Sequence, residues 1–390
     1  MNSIAVAIPA AVPAAAFRTE TITDVERFLA LEREWTALAD VAGLDHPFLT
    51  HEWMRTWWQH FGAGRRLHIV VARDRAGALV AIAPLMSTYT LMFGLPIRRL
   101  EAMANEHSPR FDFIIRPGTE DVFPALWNHL SRAAGSWTVL QLTQLPAGSR
   151  VGLELPALAR QSGYQTGRWA SEESPYVPLI GAWEQYFQGL ATKHRSNLRN
   201  RFKRLGALGA VAFETVRSAD ALPEGLRLEA AAWKGKAGTA IESRADVRQF
   251  YHGLAELAAA RGWLRLQFLS VAGRRIAFQY VIRYRSKQFL LKPGYDPEFS
   301  AYSPSNLLCA RVMEEAFEDG VTEHDFLGAA APWKREWASC TRPHEWLFAF
   351  PNTARGRLLY RMKFDMLPRL QSRPVYRSLR AMAKIAGIRS

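Results

Sequence analysis

Two stretches far apart in this chain are built on one plan. Leu67–Leu85, LHIVVARDRAGALVAIAPL, and Leu264–Ile282, LRLQFLSVAGRRIAFQYVI, each run as an apolar segment, a short turn carrying glycine, and a second apolar segment. Apolar, β-branched runs on either side of such a turn are the signature of a β-hairpin. Segments of helical character with tryptophan precede both: Trp53 and Trp57 before the first, Trp233 before the second. A hairpin has an apolar face to bury and an amphipathic helix has a stripe to bury against it, so the plan predicts a mixed α/β unit. Its recurrence predicts two copies, and 390 residues give room for both.

Around the first hairpin, Phe17–Thr23 reads as an edge strand and Asp24 as the cap of a helix reaching about Ala39. Strands are expected at Ser87–Phe93, Arg98–Met103, Phe111–Arg116 and Thr138–Leu142, with a helix over Thr119–Ala134 and a helical connection over Pro146–Gly163. Ser171–Pro178 is rich in turn formers and is read as the boundary between the units. After the second hairpin come a third strand, Lys287–Leu291, and SPSNLLCARVMEEAFEDG, a helix with Ser303 at its cap and Pro304 in its first turn. The first turn of such a helix offers backbone N–H groups to an anion.

Hydrophobic residues make up 48% and charged residues 22% of the chain, a balance that supports a packed core. The two cysteines, Cys309 and Cys340, form no CxxC or Cys/His cluster, so no metal site is expected. No apolar run is long enough to span a bilayer. Residues 1–16 are Ala- and Pro-rich without a basic start and read as a flexible lead-in.

The formal net charge is +14, and two segments concentrate it. Lys193–Leu205 reads as an amphipathic helix with Leu198, Phe202 and Leu205 on one face and Arg195, Arg199 and Lys203 on another, uninterrupted by acid. Cations stacked four apart repel each other, which points to an anionic partner. The stretch 354–390 carries ten Lys and Arg against Asp365 alone, with apolar stripes such as Leu358, Leu359, Met362 and Met366. It reads either as a membrane-surface helix or as a terminal helix packed on the body. On the first reading its removal leaves the fold intact.

No GxSxG, HExxH, Walker A or dinucleotide fingerprint is present. Acyl transfer from a thioester needs none of these: it needs positioning, a donor to the developing oxyanion and a base for the acceptor proton. Candidates for such chemistry are Asp325 as base or acceptor-orienting group, Lys334 as partner of a carboxylate, phosphate or acyl carbonyl, and Tyr295 as acid. The competing reading makes Asp325 and Lys334 an internal ion pair and Tyr295-Asp296-Pro297 a turn.

The order PFLTHEWMRTWWQHFGAG, KHRSNLRNRFKRL, YDPEFSAYSPSNLL, DFLG and WKREW, over most of the chain, resembles the GNAT-type acyltransferases of the cellulose and exopolysaccharide biosynthesis (CelD/BcsL) group, relatives in fold of the Fem aminoacyl transferases. The chain departs from that pattern at Ser305, where the family usually has glycine, and at Trp333-Lys334, where it often has Tyr-Lys. The resemblance implies two tandem GNAT-like domains, each a mixed, mostly antiparallel sheet flanked by helices: 17–175, and 176–352 carrying catalysis, with a basic tail at 353–390. It implies acyl-CoA as co-substrate, its phosphates held by Ser303, Ser305, Asn306, Arg195, Arg199 and Lys203. Trp233, Arg244 and Trp333 then fall on the acceptor side. The implied activity is transfer of an acyl group to an amine or hydroxyl of a sugar- or amine-bearing acceptor, in the cytoplasm or at the inner face of an anionic membrane. Two alternatives stand beside it: Fem-like transfer from aminoacyl-tRNA, and a non-catalytic adaptor of a polysaccharide synthase.

Overall fold

The computed structural model describes residues 17–231 and 240–371; the lead-in 1–16, Trp233 and the tail beyond 371 lie outside them. The described residues build one mixed, mostly antiparallel sheet of 13 strands, with helices on both faces. Strands β1 (Arg18–Ile22), β2 (Arg66–Arg73), β3 (Leu79–Met92), β4 (Leu95–Ala102), β5 (Ile114–Ile115), β6 (Val139–Pro146) and β7 (Gln165–Pro178) come from the first part of the chain. The rest supplies β8 (Val211–Val216), β9 (Leu264–Val271), β10 (Arg274–Tyr284), β11 (Lys287–Tyr295), β12 (Glu323–Asp325) and β13 (Cys340–Phe350). Their order across the sheet is β1-β2-β3-β4-β6-β13-β7-β12-β11-β10-β9-β8, with β5 against β3.

The repeat seen in sequence is a repeat in structure. The two hairpins are β2–β3 and β9–β10, each flanked by an antiparallel edge strand, β1 or β8. On the other side of each hairpin comes an antiparallel strand and then the parallel pairs of the sheet, β4 with β6 and β11 with β12. Arg99 faces Val139 and Glu101 faces Gln141 in the first; Lys287 faces Glu323 and Phe289 faces Asp325 in the second. Three residues past each pairing the backbone turns left-handed, at Gln144 (φ +59°) and at Gly328 (φ +55°). The halves then interlock. β7, from the first part of the chain, pairs with β12, and β13, from the end, pairs with β6 and β7. The boundary placed at 175/176 therefore falls inside a strand. The turn formers Ser171, Ser174 and Pro175 sit in β7 because long pairing with β13, from Tyr176–Cys340 to Gln165–Phe350, overrides local preference.

Other elements differ from expectation for local reasons. Asp24 does cap a helix, accepting from the Arg27 amide at 2.9 Å, but that helix breaks at Leu31 into α1 (Val25–Ala30) and α2 (Glu32–Val41). The strand expected over Phe111–Arg116 shrinks to β5: the Phe111 amide bonds the Gln144 carbonyl and the Phe113 amide bonds the Asp112 side chain, both off the ladder. The tryptophans of α3 (His51–Phe61) are core: Trp53 and Trp57 are buried, with indole N–H groups donating to Ser108 at 2.7 Å and Asn105 at 3.0 Å. Helices α4 (Val122–Arg132) and α5 (Arg150–Gln161) pack on the first half, and α8 (Leu222–Ala231) and α9 (Ala245–Ala260) on the second.

The basic helix forms as α7 (Thr192–Gly206), after α6 (Trp183–Gly189). Leu198 and Leu205 are buried, but Phe202 is 47% exposed and stacks on Phe213 of β8 instead of entering the core. The start of the basic tail belongs to the body: in α12 (Ala354–Tyr360) Leu359 is fully buried, and the Phe364 ring lies where a Cβ on Gly167 would be. The expectation that residues from 354 onward are removable without harm to the fold is therefore corrected. No helix among the described residues is long and apolar enough to cross a membrane.

Candidate functional site

Beyond Phe289–Asp325 the parallel strands β11 and β12 part. Two features widen the gap. Tyr280 faces Lys292 and Val281 faces Leu290, so Leu291 is an extra, unpaired residue and bends β11. At Gly294 a Cβ would sit 2.5 Å from the Glu229 backbone, so only glycine lets α8 lie this close on the strand. Here a cavity of about 340 Å³ opens, walled by Glu229, Gln279, Pro293–Tyr295, Ser300, Trp333 and the start of α10 (Pro304–Glu318).

Ser303, Ser305 and Asn306 all line this cavity, as do Tyr295 and Trp333. Their chemistry differs in detail from the sequence reading. Ser303 occupies the cap position in a left-handed conformation (φ +47°) and its hydroxyl makes no capping bond. Pro304 has no N–H, and the amides of Asn306 and Leu307 both turn back to the Ser303 carbonyl, at 2.9 and 3.2 Å. The first turn thus keeps the Ser305 amide outside its ladder, where several free N–H groups were expected. The Asn306 carboxamide oxygen accepts from the Trp337 indole at 3.2 Å, which fixes it. Two buried side-chain oxygens on the wall have no hydrogen-bond partner, Ser305 Oγ and Gln279 Oε1, and Gln279 is 1% exposed. A buried polar atom without a partner is costly and marks a place where a ligand can complete the bonding.

The remaining candidates lie elsewhere. Asp325 is fully buried and does not line the cavity. Its carboxylate is ion-paired to Arg110 and, at 2.7 Å, to Arg342, and it accepts from Ser174 at 3.2 Å and the Leu327 amide at 2.7 Å. Its four partners leave no lone pair directed at a substrate. Lys334, on the short α11 (Pro332–Arg335), donates to the carbonyls of Leu327 and, at 3.1 Å, Ala329, pinning the left-handed turn after β12. The expected Asp325–Lys334 ion pair is thus replaced by two arginines on one side and two carbonyls on the other. Asp296 does serve a turn, accepting from the Glu298 amide at 3.0 Å.

Of the basic helix, Arg195 is committed to its own neighbourhood, bonding the Leu190 carbonyl and the Gln188 and Thr192 side chains. The Arg199 guanidinium lies over Phe187 at 5.7 Å, and Lys203 is exposed. The cation that reaches the loop before α10 is Arg204, 5.3 Å above the Tyr302 ring. Arg244 pairs with Asp246 at 2.5 Å and faces Glu106 at 3.8 Å, away from this cavity. Sequence reading passed over Glu229 and Gln279. Glu229 is 1% exposed and accepts from the Ile241 amide at 3.1 Å. A carboxylate on the buried face of α8, seven residues after Leu222 and three after Leu226, was the available signal.

Residues 192–335, which contain this cavity, match the family model of the acetyltransferase (GNAT) domain. The chain carries a GNAT-type acetyltransferase domain over that span. Over 89% of its length it superposes on 99% of the chain in a crystal structure of FemX, with 13% identity and a TM-score of 0.60. Over 85% it superposes on 100% of a conserved protein of unknown function from Bacteroides thetaiotaomicron, with 12% identity and a TM-score of 0.52. At such identities the likeness is one of fold. No curated protein matches the chain.

Proposed function

We propose that the protein transfers an acyl group from acyl-CoA to an amine or hydroxyl acceptor, at the cavity between β11 and α10. The observation that carries this reading is the convergence of Tyr295, Glu229, the Ser305 amide region and two unpartnered oxygens on one cavity inside the acetyltransferase-type segment. Glu229 takes the acceptor proton, Tyr295 donates to the leaving thiolate, and the first turn of α10 with Arg204 faces the anionic part of CoA. The acceptor class, sugar- or amine-bearing, and an anionic membrane surface as partner belong to the same proposal. So does a place in envelope or exopolysaccharide synthesis.

Calorimetric titration with acetyl-CoA and a long-chain acyl-CoA tests it. Saturable binding, weakened roughly tenfold in Trp333→Ala through lost packing, is expected. Absence of binding in a folded sample would refute it. The exposed Lys203 and the Arg204 beside Tyr302 keep one second reading in play, transfer from aminoacyl-tRNA. It predicts RNA binding that weakens steeply with salt, where acyl-CoA binding weakens little.

A further inference from the structure

The first half has its own parted strands. Past Glu101–Gln141, β4 and β6 diverge around a cavity of about 390 Å³, reached on its far side by β13. Gln144 lines it in the left-handed conformation that the second half gives to Gly328. A side chain other than glycine in that conformation is strained, and such strain is kept where it positions something.

His344 and Trp346 stand two apart on β13, where its ladders to β6 and β7 shift register, and both line this cavity. His344 is 5% exposed and its Nε2 has no hydrogen-bond partner; the indole Nε1 of Trp346 is buried and has none either. Burial, then the charge of Arg110, lowers the His344 pKa to about 4, and the ring bonds the Glu172 backbone. The ring is therefore neutral at pH 7, with Nε2 as its acceptor when the other nitrogen carries the proton. Indole N–H only donates. A donor and an acceptor side by side select a group that can both give and accept. A hydroxyl does this; an ammonium cannot accept from Trp346, and an ionised carboxylate cannot donate to His344.

The rest of the wall extends that selection. Glu101, Glu106 and Glu172 oppose an anion, and the Arg99 guanidinium is already paired with Glu101 at 2.7 Å. Gln141, Thr143 and Asn105 offer neutral polar groups, with the Asn105 carboxamide oxygen held by Trp57 and the His107 amide, both at 3.0 Å. At about 390 Å³ the space is large enough for a small-molecule ligand of sugar size.

We propose that this cavity binds a sugar-like polyhydroxyl ligand, one of whose hydroxyls bridges His344 and Trp346. Gly328 lines this cavity and Trp333 lines the other, so the loop pinned by Lys334 is a wall between them. On the acyl-transfer reading the bound sugar is the acceptor; that role rests on the reading, and the binding site does not.

The test uses the full chain with ¹⁵N-labelled histidine, following ring signals while methyl glucoside, N-acetylglucosamine or maltose is added, with glycine and inorganic phosphate as controls. A saturable shift of one ring, absent in His344→Gln, is expected with a sugar and not with the controls. Trp346→Phe keeps the packing and removes the donor, and should weaken the sugar roughly fivefold. The proposal falls if no sugar moves the ring, if phosphate moves it instead, or if Trp346→Phe binds as wild type. Parallel acetyl-CoA calorimetry separates the two readings. Sugar binding without acetyl-CoA binding sinks acyl transfer and leaves the site; the reverse leaves acyl transfer and sinks the site.

Discussion

At the scale of single residues, the deciding feature is which carboxylates are committed and which face a cavity. Asp325 has two guanidinium partners and two further donors in a fully buried place. Asp325→Asn would leave Arg110, itself 4% exposed, and Arg342 sharing Glu323 alone, at 3.6 and 3.0 Å. Leaving a buried charge uncompensated costs about 3–5 kcal/mol, and Glu323 offsets part of that here, so denaturant unfolding should show a loss below that range but above about 1 kcal/mol. Lys334→Ala removes two bonds to carbonyls at a half-exposed site and should cost about 1–2 kcal/mol. Glu229 also has partners, the Ile241 amide among them, but it lines the cavity: Glu229→Gln keeps volume and burial and removes the base. If the proposed role holds, thiol release from acyl-CoA in the presence of acceptor should fall by about 10²–10⁴-fold with acyl-CoA affinity unchanged. An unchanged rate would remove Glu229 from the chemistry.

At the scale of elements, Gly294 is the position where β11 and α8 must touch. A methyl group there meets the Glu229 amide nitrogen and Cα at 2.5 Å, backbone atoms that cannot rotate away. Gly294→Ala should therefore lower stability by about 1–3 kcal/mol and weaken acyl-CoA binding together, read by thermal unfolding and calorimetry. This contact also shows where sequence reading stops. The hairpins, the helices α4, α5 and α7 and the starting position of α10 were legible because each is local: turn residues, periodicity and a Ser-Pro start lie within a few positions. The cavity lining from Tyr295 to Asn306 was legible for the same reason, being one continuous stretch. Glu229 and Gln279 were not, since only the sheet register and the Gly294 contact bring them there. Nor could local pattern show that Asp325 would meet Arg110 from the other half, a partner 215 positions away.

At the scale of the whole molecule, two consequences follow from what the fold buries and how its halves join. Burial pushes the pKa of His46 down to about 3 and those of His68, His107, His324 and His344 down to about 4. In the unfolded chain each titrates near ~6.5, so between about pH 6.5 and 4 the unfolded state binds more protons. Stability then rises with pH across that window and is lost as pH falls through it. Each such histidine contributes a slope of up to about 1.4 kcal/mol per pH unit. Urea midpoints should fall steeply from pH 7 to pH 5; a flat profile would show that these rings are protonated in the folded protein.

The second consequence concerns the join. β7 leaves the first half to pair with β12, and β13 returns from the second half to lie between β6 and β7. Each half therefore lacks an internal strand without the other, and a cut at 175/176 divides β7 itself. A chain limited to 17–175 keeps β6 but loses β13, exposing the apolar face of Leu142 and Leu145 and an open ladder, the arrangement that invites aggregation. Two independent domains would unfold in two steps; halves sharing their central strands should unfold in one, with near-ultraviolet signals from the first-half tryptophans and a probe on α10 superimposing. The shorter chain alone should be insoluble, and co-expression with 176–390 should not rescue it fully because the cut removes the end of β7 that pairs with β12. Separate transitions for the two probes would mean that β7 and β13 are peripheral to stability.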